Sequence, residues 1–219
     1  MRTETIENYL KTIYNLSDGN TQLVTNQKLA DKLGINPASV TEALRKLHEL
    51  KYVIYEKSYG TRLTASGARM AVDIVRRHRI WETYLVNVLG FGWDEVHEIA
   101  EELEHIKNDK LINKLSELMG NPVYDPHGDP IPDAKGKFQK NKFITLAEAK
   151  AKRHYKIMGV SDHSAVFLKY LEKHRLIIGA AITVKAIEEV DGSLHILSNK
   201  KEIVISQKVA SSIICHVID

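Results

Sequence analysis

Cysteine occurs once in this sequence, at Cys215. That excludes an intramolecular disulfide framework and any zinc site built on several thiolates. A metal bound here would have to be held by histidine, carboxylates and amide oxygens. Long apolar runs are also missing. No stretch approaches the roughly 20 residues that cross a bilayer, and the opening MRTETIENYL lacks the apolar core of a signal peptide. The expected location is the cytoplasm, with no membrane partner. Proline is scarce, and three of the five (Pro126, Pro130, Pro132) crowd into one segment. A metallohydrolase motif of the HExxH type is absent; the nearest stretch reads EELEH. The expectation is therefore no enzyme and no small organic substrate.

What is present is an ordinary globular composition. The 219 residues are 43% hydrophobic and 27% charged, enough for one or two domains with a proper core. The net charge of +3 is unevenly spread: residues 1–88 hold 13 Lys/Arg against 9 Asp/Glu, residues 89–124 hold 3 against 8, and residues 125–219 hold 15 against 11. A polyanion suits the first stretch and a cation the second.

Apolar periodicity predicts a first helix over Thr5–Leu16, where Ile6, Tyr9, Leu10, Ile13 and Leu16 share a face. A short helix over Gln27–Leu33 follows, then the turn Gly34-Ile35-Asn36, with Asn36 as N-cap and Pro37 in the first helical position. The next helix, Pro37–Leu50, repeats Val40, Leu44 and Leu47 on its inner face. Tyr52–Glu56, a turn at Ser58–Thr61 and Arg62–Thr64 read as a two-stranded wing. Helices are predicted over Ala65–Leu89, Asp94–Lys107 and Lys110–Met119. Residues 125–142 change composition and form a linker or a defined loop. Beyond them a helix at Ser164–His174 and short strands at Ile182–Glu189, Leu194–Ser198, Glu202–Ile205 and Ile213–Ile218 suit a small SH3-like barrel. The expected fold is mainly α with a C-terminal β domain. Its domains would be a winged helix-turn-helix over 1–64, a helical dimerisation and metal-binding domain over 65–124, the linker 125–142 and the SH3-like domain over 143–219.

Helix, turn, helix and hairpin is the arrangement that sets a recognition helix in the major groove. With Val40, Leu44 and Leu47 turned inward, the outer face carries Ala38, Ser39, Thr41, Glu42, Arg45 and Lys46. Small residues at the helix start approach bases and phosphates closely, and the cations reach the backbone. Tyr59 and Arg62 sit where a wing meets sugar and phosphate. A helical hairpin used for packing or for a protein partner is the plainer alternative.

The acidic stretch reads VHEIAEELEH over Val96–His105. On a continuous helix His97, Glu101, Glu104 and His105 fall on one face, opposite Val96, Ile99, Ala100, Leu103 and Ile106. His78 and Glu82, four residues apart, share a face of the preceding helix. Two such faces across a gap can hold a divalent first-row metal; a solvated surface is the ordinary alternative.

The order winged helix-turn-helix, VRRHRIWE (Val75–Glu82), VHEIAEELEH, DPHGDPIP (Asp125–Pro132) and small β domain resembles the diphtheria toxin repressor family of iron- and manganese-responsive regulators, across essentially the whole chain. Residues 36–64 are especially close to its manganese-sensing branch. The resemblance implies an ancillary metal site of His78, Glu82 and His97. It implies a primary site of Glu101, Glu104 and His105 with Asn8 from the first helix, and it makes Asp162 and His163 candidates from the SH3-like domain. It also implies manganese as the cofactor, since iron sensors carry a thiol where Glu101 stands, with ferrous iron as the alternative. Two positions depart from the pattern. Asn8 replaces a carboxylate or thioether, and Lys11 stands where short manganese sensors are acidic. The implied function is a homodimeric, metal-dependent repressor binding palindromic operator DNA of metal-homeostasis genes. Leu111, Ile112, Leu115, Leu118 and Met119 are the candidate dimer stripe, or equally intrachain core. A winged-helix regulator independent of metal is the remaining alternative.

Overall fold

The computed structural model describes residues 2–56, 59–138 and 143–218. Its contacts divide the chain into two compact units: Met1–His78 with Glu102–Lys110 and Pro132–Lys137, and Arg79–Glu101 with Leu111–Ile131 and Phe138–Asp219.

In the first unit, α1 (Thr3–Leu16), α2 (Asn26–Leu33) and α3 (Pro37–Glu49) are followed by β1 (Val53–Glu56) and β2 (Gly60–Leu63). The start of α4 (Ala65–Asn87) completes it. Local chemistry sets each boundary. The Thr25 side chain accepts from Lys28 N at the head of α2, and Gly34 in the left-handed region ends that helix. Asn36 accepts from Ala38 N and Pro37 opens α3. Leu10, Ile13, Leu29, Val40, Leu44 and Leu47 are fully buried in one core, with Val53 and Leu63 closing it from the hairpin. β1 and β2 pair antiparallel, Ile54 opposite Arg62, and Val24 bridges to Thr61 as a third rung. Gly60 is required there: its φ is +123°, and a Cβ would lie 2.7 Å from the Val24 carbonyl oxygen. Lys57 and Ser58 of the expected turn lie outside the described residues.

The second unit is built on a six-stranded antiparallel sheet of order β3-β8-β4-β5-β6-β7. Its strands are β3 (Ile144–Thr145), β4 (Arg153–Val160), β5 (Ala181–Ile187), β6 (Leu194–Ser198), β7 (Lys201–Ile205) and β8 (Ile213–Val217). α7 (Ala165–Lys173) and α8 (Gln207–Ser211) pack with it around Leu146, Ile157, Val160, Leu171, Val184, Ile196, Ile213 and Cys215. Trp93, from the segment before α5 (Val96–Leu103), packs against the same core. Strand β4 had no counterpart among the expected strands, although Tyr155 and Ile157 alternate inward between exposed His154 and Lys156. A register shift between Ile157 and Gly159 bends it.

Two expectations about the middle helices change. The helix expected over Asp94–Lys107 is only α5, Val96–Leu103. Ile106 N donates to Leu103 O in a tightened turn, and Arg77 Nε takes the carbonyl of Glu104, so that group is satisfied without another helical turn. Glu104 and His105 therefore lie in the turn that closes α5 rather than within the helix. On α6 (Asp109–Leu118) the apolar stripe splits: Ile112 and Leu115 are buried, whereas Leu111 and Leu118 are exposed.

Candidate metal centre

The second unit gathers most of its buried charge around Glu82 on α4. Glu82 is 2% exposed, and each of its oxygens faces an imidazole: Oε1 lies 3.2 Å from His97 Nδ1, Oε2 3.6 Å from His127 Nδ1. Asp125 is buried beside them, and one ligand atom each of Glu82, Asp125 and His127 lies within 4.8 Å of the others. Outward, His97 Nε2 meets Glu101 Oε1 at 3.5 Å. His163 stacks on His127 at 4.8 Å between centroids and stands 3.8 Å from Asp129.

The loop over 125–131 holds this geometry. Asp125 Oδ1 accepts from the backbone N of His127 and of Asp129, closing a tight turn. His127 Nε2 lies 2.8 Å from the Trp93 carbonyl; a carbonyl only accepts, so that nitrogen carries the proton and Nδ1 is the one turned to Glu82. The loop lies directly on β4, where Val160 N donates to His127 O. A Cβ on Gly128 would sit 2.0 Å from Gly159 Cα, so two glycines permit the approach.

The cluster is rich in carboxylates. Glu82 and Glu101 face imidazoles, and Arg79 lies 3.6 Å from both Asp125 and Asp129. Burial, with Asp129 and Glu82 alongside, pushes the Asp125 carboxyl up to about 7 against the pull of Arg79 and His127. Burial disfavours the charged His127 ring, but the bond to Glu82 and the charges of Glu82 and Asp125 outweigh it and lift the ring to about 9. His163, partly desolvated beside His127, is held below its ordinary value despite Asp129. Imidazole and carboxylate, without thiolate, are the donor set of a hard or borderline dication.

The first unit has its own cluster, in which each buried carboxylate meets a cation of the chain. Glu104 is fully buried; the Lys11 ammonium lies 2.7 Å from each of its oxygens, and His78 Nδ1 2.7 Å from Oε2. Glu7, 1% exposed, receives Arg77 Nη2 and Lys107 Nζ at 3.0 Å and His105 Nδ1 at 2.8 Å. Asn8 Oδ1 is buried without a hydrogen-bond partner. Of the residues that the resemblance assigned to a primary site, Glu104 thus pairs with Lys11 and His78, His105 with Glu7, and Glu101 with His97 in the other unit. Of the expected ancillary trio, His78 faces Glu104, and Glu82 and His97 meet each other. Asp162 spends its Oδ1 on the backbone N of Ser164 at the head of α7.

The expected nucleic-acid face is exposed on α3 and the wing. Ala38, Ser39, Glu42, Arg45 and Lys46 are open to solvent, and Tyr59 and Arg62 stand out from the hairpin. Thr41 is half-buried, accepting from Asn26 Nδ2, which also reaches the Tyr55 hydroxyl. Lys46 pairs with Glu42 at 2.6 Å.

Comparison with known proteins matches three family models end to end. They are the iron dependent repressor N-terminal DNA binding domain over residues 1–61, the iron dependent repressor metal binding and dimerisation domain over 64–133, and the FeoA domain over 144–217. A solved manganese-dependent transcriptional repressor in complex with manganese is 31% identical, with TM-score 0.84, and covers 97% of this chain and 100% of its own. The chain belongs to the iron-dependent repressor family, that of the diphtheria toxin repressor. The structure of ScaR with bound Cd²⁺ is 34% identical at TM-score 0.76, covering 97% of this chain and 99% of that one. Among curated relatives of this repressor family, the iron-dependent repressor IdeR of Mycobacterium leprae is 32% identical over 130 residues, 59% of this chain and 56% of IdeR. The chain thus matches about half the length of that relative.

Within the family frame, sequence reasoning passed over Asp125 and His127. Both lie in the DPHGDPIP segment, read above for its prolines. The signal was present: an aspartate two residues ahead of a histidine in a proline-fixed turn offers two ligands from one short loop.

Proposed function

We propose that this member of the repressor family is a divalent-cation sensor whose sensing site is the Glu82 cluster, with Asp125 and His127 as its buried ligands and His97 beside them. The observation behind this is the shared carboxylate of Glu82, set between two imidazoles and next to buried Asp125. A bound dication ties α4, α5 and the loop over 125–129 to one another. Glu101 and His163 stand at the margin. Manganese is the preferred ion, since the only thiol, Cys215, is buried in the sheet core and the donors near Glu82 are oxygens and imidazoles; ferrous iron is the competing assignment.

The output is binding of palindromic operator DNA in the cytoplasm by a homodimer. Ala38, Ser39 and Thr41 would enter the major groove, with Glu42 as an acceptor for a cytosine amino group, and Arg45, Lys46, Tyr59 and Arg62 would bind the backbone. Exposed Leu111 and Leu118 suit the dimer contact. The ion can favour the DNA-competent state only by its differential affinity for it.

The test is fluorescence anisotropy on a fragment from upstream of its own gene, at fixed salt, in chelator and then with Mn²⁺, Fe²⁺ or Zn²⁺. Binding that needs the ion and falls at least tenfold in Glu82→Gln and His127→Ala supports the reading. Equal affinity in chelator, or full metal activation of both variants, overturns it.

A further inference from the structure

The resemblance assigns Glu104, His105 and Asn8 to a divalent cation, and the first unit does not fit one. Its two buried carboxylates, Glu7 and Glu104, already face three permanent cations: Lys11, Arg77 and Lys107. Both Glu104 oxygens lie 2.7 Å from one ammonium, and both Glu7 oxygens are engaged by cation or imidazole. Each of these carboxylates is matched by cations of the chain before any ion arrives. A dication at Glu104 would have to expel a lysine that is itself only 8% exposed, or stand against it at contact distance in a site screened from water. The one unengaged oxygen donor of the set is the Asn8 amide, a neutral ligand too weak to undo that match. In the second unit, by contrast, two carboxylates, Asp125 and Asp129, share the one guanidinium of Arg79 at 3.6 Å.

We propose that the Glu104 site takes no divalent cation, because the Lys11 ammonium stands permanently in its place. α1 is then bound to the Glu102–Lys110 segment by the chain's own charges. A site that elsewhere would respond to metal has become a fixed structural joint. The inference concerns Glu104 alone and holds whether or not the Glu82 reading is right.

The experiment counts Mn²⁺ bound per chain in the full-length protein, by calorimetric titration and by the paramagnetic resonance of free Mn²⁺. Wild type is compared with Glu104→Gln, Lys11→Glu and Glu82→Gln, each first checked for native circular dichroism. Glu104→Gln should leave the wild-type count unchanged. Lys11→Glu exchanges the ammonium for a carboxylate and should raise the count by one. A lower count in Glu104→Gln, or no gain in a folded Lys11→Glu, overturns the inference. If one of these two variants does not fold, the other still decides. Glu82→Gln reports separately on the other site: its loss of an ion supports the sensing-site reading, and retention of every ion sinks that reading without touching the claim about Lys11.

Discussion

Burial meets single side chains here in different company. Glu104 is buried together with the Lys11 ammonium, and an uncompensated charge in that position would cost several kcal/mol. On Cys215 burial, together with the Glu148 charge, pushes the thiol up to about 12 from an ordinary 9.0. Cys215 is therefore expected to resist iodoacetamide at pH 8 in the folded protein and to react fully in denaturant, as read by mass spectrometry. The linkage sign follows. Between pH 9 and about 12 the folded chain keeps a proton that the unfolded chain has lost. The contribution is complete below 9 and is lost as pH rises through that window. Denaturant midpoints should fall over this range in wild type, and less in Cys215→Ala.

Among the elements, the loop over 125–131 decides whether the Glu82 cluster exists. Its contact with β4 runs through two glycines, and Gly128 has a φ of +88°. Gly128→Ala should cost about 1–3 kcal/mol through backbone strain alone, more where the added methyl forces the loop off β4. It should also weaken Mn²⁺ binding at least tenfold, because His127 moves with its carbonyl. Chemical denaturation and calorimetry check the two effects; unchanged ion affinity would show that the loop positions nothing. Legibility in sequence divides at this same level. The winged helix-turn-helix could be read because its signals are local: Asn36 and Pro37 at a helix start, Gly34 at a helix end, apolar spacing on α3. The site could be read only in part. Glu82 and His97 announced themselves by spacing, but Glu104 and His105 were placed on a helix that stops at Leu103, since periodicity does not record where Arg77 captures a carbonyl. Asp125 and His127 were hidden in a segment whose prolines and glycines looked like mere punctuation. Nothing short-range tells that Gly128 meets Gly159.

For the whole molecule, an ion that binds only the folded state must raise stability by mass action. At a free concentration a hundredfold above the dissociation constant the gain is about 2.7 kcal/mol, or roughly 5–10 °C in the melting midpoint for a chain of this size. Scanning calorimetry should show such a shift on adding Mn²⁺ to wild type and none in Glu82→Gln. A shift of equal size in that variant would place the ion elsewhere.

The Lys11–Glu104 pair sets the shape of the dose–response curve. A lysine tethered by its own backbone is never diluted, never chelated and never in competition with protons of the medium for occupancy of the joint. If the Glu104 site takes no dication and the Glu82 cluster takes one, as proposed above, the fraction of active protein should follow a single exchangeable ion per chain. Any steepness beyond a simple hyperbola must then come from coupling between the two halves of a dimer, so the Hill coefficient becomes a direct reading of communication across the subunit interface.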